Sequence, residues 1–159
     1  MSATDGTPRD NAGVVAPPPV IFGSIFIIAL FIERSRPFAL LPPGMGTLFG
    51  VLLMIAGGAL AAWGVSTFSR AKTAILPTGS TTTIISGGPY RFTRNPMYVG
   101  MVFAYVGGAF ASNSYWPLVF LPMALIIVQR GVIYREEAYL ERKFGTEYLS
   151  YKTRVRRWL

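Results

Sequence analysis

Polar and apolar residues fall along this chain in long blocks. Three long charge-free stretches stand out: Asn11–Ile32, Pro37–Ser69 and Asn95–Gln129. The apolar part of the first, "VIFGSIFIIALFI", predicts a helix over about 18–33. The second contains "MGTLFGVLLMIAGGALAAWGVSTFS" and predicts a helix over about 46–69, which meets the ~20 residues that a membrane span requires. The third is too long for one span and too short for two generous ones. Its middle, "ASNSYWP" (Ala111–Pro117), is a turn signal with a proline behind it. The block therefore predicts a helical hairpin with arms over about 96–111 and 115–144. At 1.5 Å per residue the first arm is only about 24 Å long, short against a hydrocarbon core of about 30 Å. The turn would sit just inside the far interface, a depth that suits Tyr115 and Trp116.

The pattern changes after Gln129. "RGVIYREEAYLERKFG" is charged but still helical, so the fourth helix is expected to leave the membrane as an amphipathic extension and stop at Gly145. "TEYLSYKTRV" then predicts a short helix over about 147–154, with Thr146 as N-cap and with Tyr148 and Tyr151 on one face. "RRWL" reads as a membrane-surface anchor. At the other end, residues 1–16 are small and polar and read as a disordered tail, without the basic and cleavage regions of a signal peptide. The expectation is one domain, 17–159: an all-α integral membrane protein of about four transmembrane helices with a cytoplasmic C-terminal helical segment.

Composition agrees. The chain has 159 residues, 52% of them hydrophobic, and a net charge of +8. Its mean hydropathy is +0.43 and its pI about 10.2. A basic, apolar chain suits a membrane with anionic lipid and points away from nucleic acid. Arg70, Lys72, Arg91 and Arg94 lie between the second and third helices, and eight more Lys and Arg follow the fourth. The positive-inside rule places both termini and the 70–96 segment in the cytoplasm. Gly46, Gly50, Gly57 and Gly64, and likewise Gly100, Ala104, Gly107 and Ala111, form small-residue stripes on single helix faces. Such faces serve bundle packing, and the Gly46/Gly50 part would also allow a helix-mediated homodimer.

With no Cys and no His, thiolate chemistry, imidazole acid–base chemistry and most zinc or haem ligation are excluded, and no metal site is expected. Two polar clusters remain. In "GGPYRFTRNPMYVG" (Gly87–Gly100), Asn95 is an N-cap and Pro96 a first helical residue. The helix dipole, Arg91, Arg94 and the unhindered backbone at Gly87–Gly88 would together hold a carboxylate or phosphate. The plain alternative is a positive-inside anchor touching lipid headgroups. The second cluster is Glu136–Glu137. These residues point about 100° apart on a helix, and Glu137 lies seven residues after Arg130, on the same face. They are either surface ion-pair partners or a carboxylate site for a cationic amine or ribose hydroxyls. The hairpin would bring both clusters to one cytoplasmic mouth, where a zwitterionic cofactor with a nucleoside would satisfy them. Neither a Rossmann fingerprint nor a Walker A loop is present.

These two motifs, from about Pro77 to Leu159, resemble the isoprenylcysteine carboxyl methyltransferase and phospholipid methyltransferase superfamily, its short bacterial members most closely. The first two helices match only in being apolar. The family pattern G-x-Y-x-x-x-R-[HN]-P-x-Y falls on Gly88, Tyr90, Arg94, Asn95, Pro96 and Tyr98. The pattern E-E-x-x-L-x-x-x-[FY]-G-x-x-[YW]-x-x-Y falls on Glu136, Glu137, Leu140, Phe144, Gly145, Tyr148 and Tyr151. The resemblance implies a bacterial inner-membrane enzyme that binds S-adenosylmethionine at its cytoplasmic face and methylates a lipophilic or amphiphilic acceptor, a carboxylate or an amine. It implies that Arg94 orients the acceptor or the cofactor carboxylate. Glu136 and Glu137 would bind the cofactor's ribose or amine, one of them acting as base. Tyr90, Arg91, Asn95, Tyr98 and Leu140 would surround the cofactor, covered by Tyr148 and Tyr151. Asn95 stands where the eukaryotic prenylcysteine enzymes have His, which weakens a prenylcysteine assignment. The alternatives are a nicotinamide-dependent reductase of the sterol reductase type, whose members are much longer, and a non-catalytic lipid-binding membrane protein.

Overall fold

A computed structural model describes residues 11–71 and 81–159. The described residues fold as an all-helical bundle: α1 (Pro18–Ser35), α2 (Thr47–Arg70), α3 (Pro96–Ala111), α4 (Trp116–Val128), α5 (Tyr134–Phe144) and α6 (Thr146–Arg154). A 3₁₀ turn, Gly88–Arg91, precedes α3, and one π-turn, Gln129–Ile133, joins α4 to α5 without a break. Three helices are long and apolar enough to cross a membrane: α1, α2 and the continuous run Trp116–Phe144; α3 is shorter. Prolines set several starts. Pro18, Pro96 and Pro117 lie in first turns, where the missing N–H is not needed.

The glycine stripes form one seam. On α2, a Cβ on Gly57 would lie 2.4 Å from the Gly100 carbonyl oxygen, and one on Gly50 would lie 2.5 Å from that of Gly107. The contact is reciprocal, since a Cβ on Gly100 would meet the Gly57 oxygen at 2.5 Å. Only backbones without side chains approach this closely. Gly46 joins the seam against Phe110, so the stripe is filled from within the chain. The other pair is α1 with α4. Ile21, Phe22 and Ile25 pack with Ala124, Val128, Val132 and Ile133, and Tyr98 and Tyr105 of α3 close that core. The two hairpin arms thus each take a different main partner.

The turn at 112–115 is tied to the α1–α2 loop. Asn113 adopts a left-handed backbone (φ +49°), and its side chain both accepts from Leu41 N–H and donates to the Leu41 carbonyl, each at 2.9 Å. The Ser114 hydroxyl donates to Glu33 Oε2 at 2.7 Å, and Trp116 Nε1 donates to the Arg36 carbonyl at 2.7 Å.

Four expectations need correction. Residues 11–16, read as disordered, run along the π-turn: Val15 N–H donates to the Gly131 carbonyl, and Val14 and Ala16 pack on the core. Residues 1–10 of that tail, and Lys72 in the basic loop, lie outside the described residues. Glu137 and Arg130 do not share a face; Glu137 is buried and Arg130 exposed, because the π-turn inserts an extra residue between them. The Asn95 side chain makes no cap bond; it donates to the Arg157 carbonyl at 2.9 Å instead. Thr146 is the first residue of α6, and the cap position belongs to Gly145 at φ +52°, where α5 stops as expected.

Candidate functional site

The basic loop and the acidic pair meet in one cavity of about 860 Å³, counted to its open mouth. Gly88, with φ +57° and Thr67 against it, turns the chain into the 3₁₀ turn that buries Tyr90. Arg94 and Asn95 enter from the lead-in to α3, and Tyr98 from its first turn. Glu136, Glu137 and Leu140 come from α5, and Tyr148 and Tyr151 from α6.

The polar groups are tightly arranged. Glu137 Oε1 accepts from Arg157 Nε at 2.9 Å and lies 3.1 Å from Arg94 Nη2; Oε2 accepts from Arg157 Nη2 at 2.7 Å. The side chains of both Arg94 and Glu137 are buried, 8% and 9% exposed. The carboxylate hydrogen bond holds the Arg157 guanidinium above its usual pKa. Arg94 Nη1 reaches the Lys152 carbonyl at 3.3 Å, while its Nε is buried with no hydrogen-bond partner among the described residues. The Tyr90 hydroxyl is likewise buried and unpaired. Glu136 Oε1 accepts from the Tyr98 hydroxyl at 2.7 Å. Tyr151 donates to the Tyr90 carbonyl at 2.7 Å, and the Tyr148 and Tyr151 rings lie 6.1 Å apart. Burial pushes the Tyr151 hydroxyl up to about 12 and those of Tyr90 and Tyr148 higher still, so all three are neutral donors.

Of the residues expected in a cofactor site, Tyr90, Arg94, Asn95, Tyr98, Glu136, Glu137, Leu140, Tyr148 and Tyr151 line this cavity. Gly88 and Pro96 stand behind the wall as backbone supports. Arg91 is exposed at the surface, its guanidinium 4.6 Å from the Phe92 ring centre. Glu137 carries two arginines, one side-on and one through a single nitrogen. Sequence reasoning missed Arg157, which the tail delivers, and the 81–85 segment with Phe68 and Met97, which supplies apolar wall. The Arg154 and Arg156 side chains beside Arg157 gave no signal to separate it from an anchor.

A family model described as phospholipid methyltransferase matches residues 45–147, more than half of the chain. The chain belongs to the phospholipid methyltransferase family. Membership places it within the isoprenylcysteine carboxyl methyltransferase superfamily and makes it methyltransferase-like. The match starts before α2, so the glycine helix belongs to the family region, whereas resemblance by motif began only near Pro77. A 35-residue stretch is 54% identical to an uncharacterized protein of Haemophilus influenzae; it covers 22% of this chain and 56% of that protein. The chain thus spans about half the length of the curated relative it matches. No solved structure matches.

Proposed function

We propose that the protein is an S-adenosylmethionine-dependent methyltransferase acting on a lipophilic or amphiphilic acceptor, with the cofactor in the cavity at the cytoplasmic face. The observation that carries this is the pair of buried, unpartnered donors, Arg94 Nε and the Tyr90 hydroxyl, in the wall of a cavity that also presents Glu136. Buried donors left unpaired are costly, by about 1–3 kcal/mol each. A bound carboxylate would satisfy Arg94, and Glu136 would take an amine or ribose hydroxyls. The residues present therefore fit the amino-acid and ribose ends of the cofactor, while Phe68, Ile84, Ile85 and Leu140 give apolar surface for an adenine.

When bound, the sulfonium supplies an electrophilic methyl group for in-line displacement. The chain's own task is positioning. Arg94 would fix the carboxylate end; Glu136 would fix the ribose or amine. With Glu137 engaged by two arginines, Glu136 is the carboxylate to which a proton from an amine acceptor would pass. A carboxylate acceptor needs no base. An apolar groove beside the site, lined by Val99, Val102, Phe103 and Leu125 and ending at Trp158, suits the acceptor's chain. Val99 follows Tyr98 directly, so groove and cavity use adjoining faces of one helical turn. The positive-inside pattern supports a cytoplasmic orientation in a bacterial inner membrane.

The test is titration of the detergent-solubilised protein with S-adenosylhomocysteine. Micromolar binding that Glu136→Ala and Arg94→Ala abolish supports the proposal; a well-folded sample that does not bind sinks it. Transfer of tritiated methyl into total membrane lipids would then identify the acceptor class.

A further inference from the structure

Glu137 has room for one side-on guanidinium, and Arg157 occupies it. Its Nε and Nη2 take the two carboxylate oxygens separately, the bidentate fork that arginine favours. Arg94, a residue of the cavity lining, is left with a single Nη2 contact to Oε1, and its Nε is buried with no hydrogen-bond partner among the described residues. Arg157 is itself fixed at both ends. Its carbonyl accepts from Thr93 Oγ1 at 3.1 Å and Asn95 Nδ2 at 2.9 Å, and its guanidinium lies 4.7 Å from the Tyr134 ring centre. Arg94 N–H donates to the Arg156 carbonyl at 2.8 Å, which ties the tail to the same loop. Two guanidiniums against one carboxylate also leave the cluster with a net positive charge, ready for an incoming anion.

We infer that Arg157 is a positioning residue: by filling the fork of Glu137 it keeps the Arg94 guanidinium turned to the cavity, where it grips the ligand's carboxylate. Without Arg157, Arg94 would close its own fork on Glu137, and its guanidinium would turn away from the cavity. The ties of the tail to the loop run through main-chain carbonyls, so they survive substitution of the Arg157 side chain. The inference rests on the cofactor reading above.

The experiment compares S-adenosylhomocysteine with 5′-methylthioadenosine, which has the nucleoside and thioether but no amino-acid end. Arg157→Ala should weaken the first by about tenfold or more, the scale of one charge-assisted hydrogen bond, and the second by less than about twofold. Arg157→Lys, which keeps the charge but not the fork, should show the same selectivity at smaller size. In a Glu137→Gln background, Arg157→Ala should add less than about twofold, because the carboxylate through which it acts is gone. Equal losses for both ligands, or a full additional loss in the Glu137→Gln background, would overturn the positioning role alone. Failure of the wild-type protein to bind either nucleoside would overturn the methyltransferase reading and the positioning role together.

Discussion

Neighbouring glycines in α2 make opposite predictions. A Cβ on Gly57 would lie 2.4 Å from the Gly100 oxygen, 2.8 Å from Ala104 N and 2.9 Å from Phe103 Cβ. Two of these three are backbone atoms, which cannot swing aside as a side chain would. Ordinary contact begins at 3.4 Å, so α2 and α3 must part by about 1 Å. Overpacking of this kind costs about 1–3 kcal/mol. Gly58, one residue on, has nothing within 4 Å of its would-be Cβ. There alanine should be neutral, or favourable by up to about 1 kcal/mol through helix propensity. Both substitutions gain the same helix propensity, so Gly57→Ala and Gly58→Ala should differ by the overpacking cost alone, about 1–3 kcal/mol. At about 2–4 °C per kcal/mol for a chain of this size, their unfolding midpoints should separate by roughly 2 to 12 °C. Thermal unfolding in detergent, followed by far-ultraviolet circular dichroism, reads this directly. Equal midpoints, or a Gly57→Ala variant more stable than Gly58→Ala, would refute the seam as the close contact between these helices.

Further tests address the site and the far turn. Tyr98→Phe removes the donor to Glu136 and should weaken S-adenosylhomocysteine by about five- to tenfold in a calorimetric titration. Asn113→Ala loses both bonds to Leu41 and places alanine at φ +49°, so stability should fall by about 2–3 kcal/mol in the same thermal assay. Asn113→Gly should recover only the backbone part. Alkaline pH should also destabilise the fold: the Tyr151 hydroxyl rises from 10.0 to about 12 on burial, so the unfolded chain loses that proton first. Stability should drop between pH 10 and 12 by on the order of 2–3 kcal/mol from this group, and Tyr151→Phe should flatten the decline.

How much was readable from sequence depended on whether a feature leaves a residue-type mark. Pro96 and the Ser112–Asn113–Ser114 run mark helix ends by fixed φ and turn chemistry, and α3 and the hairpin turn fell where those residues put them. Glycine spacing marked the faces of α2 and α3 that suit close packing, because close approach demands missing side chains, but not that these two faces meet. Which partner each arm would take was not legible, since lipid-facing and core-facing residues of α4 are equally apolar. The π-turn leaves no mark either, and it broke the inference that joined Arg130 to Glu137. The motif residues Arg94, Tyr98, Glu136 and Tyr151 line one cavity, but their individual partners were not legible. Arg157 and Arg156 look alike in sequence; only the pairing of Thr93 with Arg156 decides which side chain turns inward.

The π-turn at Gln129–Ile133 also acts as an index mark. One residue subtends about 100° of an α-helix, so the extra residue sets the carboxylate-bearing half out of phase with the half that packs on α1. The lower half can keep its apolar match to Ile21 and Ile25 while the upper half aims Glu137 at the two arginines. Removing a single residue from this turn would restore a regular helix with both glutamates and both arginines still present, yet dial the glutamates away from the cavity.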